Sequence, residues 1–430
     1  ADSVFRSNPN IIAFDVDSDN PYYSSENGVL FNKDKTVLIE YPCGKTDDTY
    51  VVPDTVKAIN AYAFYDCKNI SNLTIGNNVE TIETEAFTGC GVTYLNIDME
   101  VIPDNAFSSC SNLYDVTIGD SVETIENSAF YNCDNLRYIT IGKNIKSIGE
   151  DAFYYYNNSS SRYVYISDLE AWCNIDFADA YSNPMYGYYK YYSTSYYGTY
   201  FYINGVEATN IAIPETVTEI KPYTFYECRS IKNITIPDSV TSIGNYAFYS
   251  CDSLANITIG NSIESIGNYA FYNCDRLANV TIGNSVKSIG DYAFCSCDYI
   301  TSIALPDTVE AIGNGAFDGC SKLVDITLSK NLKSIGNNAF SSTLKDVFYP
   351  GSQEEWDKVS KGDSNTALTN ADLYLMHKHE YTTTITKYPS CTGDGEMLYT
   401  CTKGDTKTEV IPALGHDMIV DTSSSYAATC

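Results

Sequence analysis

A period of 23 residues constrains this chain more than any other feature. Phe225, Phe248, Phe271, Phe294, Phe317 and Phe340 are evenly spaced, and Phe64, Phe87, Phe107, Phe130 and Phe153 precede them with steps of 23, 20, 23 and 23. Whole units align, as "SIGNYAFYSCDSLANITIGNSIE" (242–264) does with "SIGNYAFYNCDRLANVTIGNSVK" (265–287). Repetition at this period predicts a solenoid, because one unit cannot bury its apolar residues alone and must stack on its neighbours.

A single unit can be read physically. Leu254, Ile257 and Ile259 alternate with Asn256 and Thr258, which predicts a short strand with the apolar residues inward. A second short inward stretch ends at Ile266, Gly267 turns the chain, and "NYAFYNC" is expected to form about two helical turns. Ala270, Phe271 and Cys274 would point inward from those turns.

Fifteen cysteines suggest a disulfide framework, but their spacing argues otherwise. Cys67, Cys90, Cys110, Cys133, Cys228, Cys251, Cys274, Cys297 and Cys320 each lie three residues after a repeat Phe. Equivalent cysteines on adjacent rungs have parallel Cβ vectors, which suits packing better than bridging. Free, packed thiols are therefore expected.

The pattern "CxxLxxITIGxSVxSIGxxAF" resembles the BspA-type leucine-rich repeats of bacterial cell-surface proteins. The resemblance covers roughly residues 1–376. It implies a right-handed leucine-rich-repeat solenoid of short parallel strands and short helical turns, with insertions near 11–50, 161–210 and 347–376. "NPYYSSENGVLFNKDKTVLIEYP" also resembles an element of that family, a hairpin with "NKDK" at its tip. Residues 377–430 read as a small β module followed by a truncated second copy. The opening "ADSVFRSNPNI" reads as the tail of a repeat, so an internal fragment is expected.

Two insertions share one layout. Each has a strand, an acidic short helix carrying Trp172 or Trp356, an "SN" turn, and a returning strand. The two tryptophans are expected to plug the insertions onto the solenoid. The first insertion is longer by about twelve residues, corresponding to "YGYYKYYSTSYY" (186–197). Tyr186, Tyr188, Tyr189, Tyr191, Tyr192, Tyr196, Tyr197 and Tyr200 are thus candidate contact residues, since tyrosine offers a flat apolar face and a hydrogen-bonding tip. The competing expectation is a hairpin extension that packs on itself.

Two candidate metal sets stand beside their plainer readings. Asp15, Asp17, Asp19 and Glu26 have the spacing of a calcium loop, but Asn20 replaces the usual glycine, which favours an acidic loop. His379, Cys391, Cys401 and His416 could ligate zinc; a Cys391–Cys401 disulfide or no special chemistry are the alternatives. No cofactor is expected.

All three histidines (His377, His379, His416) lie in the tail, and no GxSxG or phosphate-loop motif occurs. A catalytic solenoid is therefore not expected, although paired carboxylates for polysaccharide chemistry are conceivable in so acidic a chain. The net charge of −29 argues against nucleic acid as a partner. No apolar run is long enough to span a membrane. The expectation is a secreted or surface-displayed scaffold for a protein or glycan, or else a spacer holding other modules away from the cell.

Overall fold

In-register parallel stacking organises the chain. The computed structural model describes residues 5–6, 8–156, 161–187 and 198–375, together with three strands of the tail. Along one face run short strands such as Asn72–Ile75, Tyr94–Ile97, Asp115–Ile118 and Tyr138–Ile141, each parallel to the next. The same face continues through Asn233–Thr235, Asn256–Thr258 and Asn279–Thr281. A second face is built from two-residue strands such as Ser265–Ile266 and Ser288–Ile289.

The alternation behaves as the sequence requires. Ile257, Ile259, Ile263 and Ile266 are buried, whereas Asn256 and Thr258 are exposed. The outward asparagines form a ladder: the Asn233, Asn256 and Asn279 amides each donate to the Asn side chain one rung back. Every repeat Phe is buried, and successive rings stack, as Phe248–Phe271 does at 5.1 Å between centroids. Each such ring removes apolar surface worth roughly 1.5–3 kcal/mol.

The expected helical turns are absent from the repeats. "NYAFYNC" forms two tight turns instead, with Tyr269 and Asn273 both at left-handed φ (56° and 58°). The reason lies in hydrogen bonding. An α-helix satisfies its N–H groups internally, but here they point along the stack. Tyr269, Phe271 and Asn273 donate to the carbonyls of Asp291, Ala293 and Cys295 on the next rung. This third side is therefore also a ladder. Gly267 is required by the close spacing, since a Cβ there would lie 2.6 Å from the backbone of Gly244. Asx side chains bind the same corner, with Asn245 Oδ1 accepting from Asn268 N–H and Asn268 Oδ1 from Asp291 N–H.

The cysteine ladder is packed and, with one correction, free. Cys90, Cys110, Cys133, Cys228, Cys251, Cys274, Cys297 and Cys320 are buried thiols. Cys67, expected with them, is disulfide-bonded to Cys43, with Cα atoms 4.5 Å apart. Register explains the exception. Tyr41 occupies the Phe position of the first rung and stacks on Phe64 at 5.0 Å. Cys43 lies two residues after Tyr41 rather than three, so its Cβ is not parallel to that of Cys67.

At the amino-terminal end, Tyr23–Glu26 pairs antiparallel with Val29–Asn32 through an Asn27–Gly28 turn with both φ angles positive. Val37–Glu40 follows, and its parallel pairing with Ala58–Ile59 joins the hairpin to the second face. In the tail, Tyr381–Lys387, Gly395–Cys401 and Thr406–Ile411 form an antiparallel sheet.

Candidate binding surface

Both tryptophan insertions are tied down by the same devices. Trp172 is buried against Phe177 and Phe201, and its indole N–H donates to the Thr224 carbonyl at 3.0 Å. Trp356 is buried against Tyr349. The expected "SN" turns supply the second anchor. Asn183 donates to the Tyr223 carbonyl at 2.7 Å and accepts from Met185 N–H at 2.8 Å. Asn365 likewise donates to the Gly336 carbonyl and accepts from Ala339 N–H. The tryptophans and asparagines are therefore structural plugs.

With the insertions fixed, their strands extend the long face. Arg162–Ile166 pairs with Tyr138–Ile141, and Thr199–Ile203 pairs with Arg162–Ile166. Registered pairing places Tyr138, Tyr163 and Tyr200 in one outward column and Tyr165 and Tyr202 in the next. Their rings stack at 5.0 Å (Tyr138–Tyr163), 5.4 Å (Tyr163–Tyr200) and 4.8 Å (Tyr165–Tyr202). Tyr114 closes the other end, 5.3 Å from Tyr138 and 38% exposed. The result is a contiguous tyrosine platform across the sheet.

Stacking decides what this platform presents. Near-parallel stacking covers much of the inner ring faces, which leaves ring edges as the main apolar surface. Burial raises the phenols of Tyr165 and Tyr202, and the hydroxyl of Tyr138 raises that of Tyr114. Tyr114, Tyr165 and Tyr202 therefore remain neutral donors and acceptors. Asp115 lies opposite Tyr138 within the first column, its carboxyl raised by burial. The second insertion repeats the motif on a smaller scale, with exposed Phe348 stacked on Tyr374 at 4.9 Å.

The tyrosines singled out by sequence divide. Tyr200 is on the platform, 36% exposed. Tyr186 is buried, packed against Tyr154, Tyr155 and Tyr181, and so belongs to the packing rather than to the excess loop. Tyr188, Tyr189, Tyr191, Tyr192, Tyr196 and Tyr197 lie outside the described residues. The flanks of their segment are joined, because the Thr199 hydroxyl donates to the Met185 carbonyl at 2.8 Å. Gly187 N–H is held by the buried Glu227 carboxylate at 3.0 Å.

Of the platform tyrosines only Tyr200 stood among the candidates read from sequence; Tyr114, Tyr138, Tyr163, Tyr165 and Tyr202 were missed. The signal was the alternation in "YVYI" (163–166) and "YFYI" (200–203), which puts two tyrosines per strand on one side.

The calcium-like set is not assembled. Asp17 accepts from Asp19 N–H, and Glu26 is paired with Lys35 at 2.8 Å. Among the described residues no group of three His, Cys, Asp or Glu side chains could hold a metal ion. In the zinc-like set, Cys401 ends a tail strand, while His379, Cys391 and His416 lie outside the described residues.

The repeat geometry has a counterpart in known proteins. The description of BspA type leucine rich repeat regions matches in six copies, over residues 43–160, 195–298 and 264–360. The chain belongs to the BspA-type leucine-rich repeat family. Solved structures similar to this BspA-type chain include a leucine-rich repeat protein from Bacteroides ovatus, 25% identical, with 83% of this chain and 91% of that one covered and a TM-score of 0.49. Another is a leucine rich cell surface protein from Faecalibacterium prausnitzii, 22% identical, covering 80% and 99%, with a TM-score of 0.44. No curated protein matches the chain. Among the described residues of this BspA-type protein, no helix is long and apolar enough to cross a membrane.

Proposed function

We propose that the chain is an extracellular or surface-displayed, non-enzymatic scaffold that binds a protein partner through the tyrosine platform. The observation that carries this reading is the stacked, outward array of Tyr114, Tyr138, Tyr163, Tyr165, Tyr200 and Tyr202. Core burial does not require these rings, since the corresponding outward positions farther along are Asn and Thr. Tyrosine edges and hydroxyls on a rigid sheet suit the anchor residues of a protein interface. A glycan is the second reading, because a sugar stacks on an open ring face and the inner rings here stack on one another. Tyr188, Tyr189, Tyr191, Tyr192, Tyr196 and Tyr197 are proposed as further contact residues.

Two features support an extracellular setting: family membership, and the Cys43–Cys67 disulfide, a bond that persists in oxidising compartments. A spacer role predicts no consequence from altering the platform. The test is an array of extracellular proteins and an array of glycans, probed with the intact chain and with the Tyr163→Ser/Tyr165→Ser/Tyr202→Ser variant. Protein hits lost in the variant support the proposal. Hits shared equally by both proteins contradict it.

A further inference from the structure

The amino-terminal hairpin encloses a cavity of about 380 Å³, away from the tyrosine platform. Phe14, Val16, Tyr23, Leu30 and Ile39 line it, and so does one buried carboxylate, Glu40. Its size is that of a small-molecule site. Glu40 is only 6% exposed, and among the described residues no hydrogen bond or ion pair reaches its carboxylate.

That combination has no structural purpose. Glu40 ends the strand Val37–Glu40, where an apolar residue would fill the space without desolvating a charge. The nearby lysines do not neutralise it. Lys33 donates to the carbonyls of Ser18 and Asn20, and Lys35 is paired with Glu26. Asp15 lines the same cavity and adds a second, exposed acidic group. Burial alone raises the Glu40 carboxyl to about 7, with no neighbouring cation opposing the rise. A metal ion is a poor fit, since among the described residues no third acidic or His/Cys ligand joins the two carboxylates.

We infer that this cavity binds a small organic ammonium, with an aromatic or aliphatic body against Phe14, Val16 and Leu30 and its charged nitrogen on Glu40. Recognition would then combine apolar burial with a charge-assisted hydrogen bond.

The probe is phenethylamine, with 2-phenylethanol as its neutral counterpart of similar shape, titrated calorimetrically into the full chain. Phenethylamine is expected to saturate one site and to bind at least tenfold more tightly than the alcohol. Glu40→Gln, which keeps shape and relieves the burial of a charge, is expected to fold and to remove that preference. Val16→Trp, which fills the cavity without touching Glu40, is expected to abolish binding of both. Equal affinity for amine and alcohol, an unchanged preference in Glu40→Gln, or no binding of the amine at millimolar concentration would each overturn the inference.

Discussion

The Cys274 thiol donates to the Phe248 carbonyl at 3.2 Å, one rung back. Cys251, Cys297 and Cys320 repeat the contact with Phe225, Phe271 and Phe294. Cysteine is therefore more than a small apolar filler here: it joins rungs at the turn side, where the carbonyls of Phe225, Phe248 and Phe271 also accept the Cys N–H of their own rung. Cys274→Ala should lower stability by about 1–3 kcal/mol in urea unfolding, through the lost donor and the small void. Burial pushes the thiols of Cys90, Cys133, Cys228 and Cys320 up to about 12. These four should stay unmodified by iodoacetamide at pH 8 until the chain unfolds. Rapid native labelling would contradict the packing described.

Asn183 tests the anchoring of the first insertion. Asn183→Ala leaves Met185 N–H without its partner inside the protein, and leaves the Tyr223 carbonyl with the Tyr226 N–H alone. A loss of about 1–3 kcal/mol is expected. Local opening should show first as faster amide hydrogen exchange at Met185 and Tyr186, with the rungs beyond Phe248 unchanged. A uniform change along the solenoid would contradict the local role.

A buried acid cluster makes stability depend on pH. Glu227 and Asp252 flank Arg229 at 3.7 Å and 3.2 Å. Burial, opposed by Arg229, raises their carboxyls from 4.5 to about 7 and from 3.8 to about 6. The folded state thus holds protons that the unfolded chain has released between about pH 4 and 7. The contribution of these two groups is greatest below that window and falls as pH rises through it, by on the order of 6 kcal/mol. Glu227→Gln should reduce the difference between urea midpoints at pH 5 and pH 8. An undiminished difference in the variant would show that the dependence arises elsewhere.

These residues also mark how far the sequence was legible. The period located the Phe and Cys ladders and the inward isoleucines, because repetition reports burial directly. It misread "NYAFYNC" as helical, since Ala270, Phe271 and Cys274 have helix-like spacing while the hydrogen bonds run between rungs. Pairing of Cys43 with Cys67 depends on a one-residue offset at the first rung, invisible to a count of cysteines. The tyrosine density at 183–202 drew attention to one loop. Tyr186 at its start is core, and the outward array depends on registers linking strands more than twenty residues apart.

The central claim is that the platform, rather than the rest of the sheet face, engages a protein partner. It is tested most directly by affinity for the strongest array hit, measured with three chains. The intact protein is compared with Tyr163→Ser/Tyr165→Ser/Tyr202→Ser and with Asn233→Ser/Asn256→Ser/Asn279→Ser, which alters the same face farther along. The account predicts a loss of at least thirtyfold, about 2 kcal/mol, in the tyrosine variant and less than threefold in the asparagine variant. Equal losses in both, or none in the tyrosine variant, would contradict it.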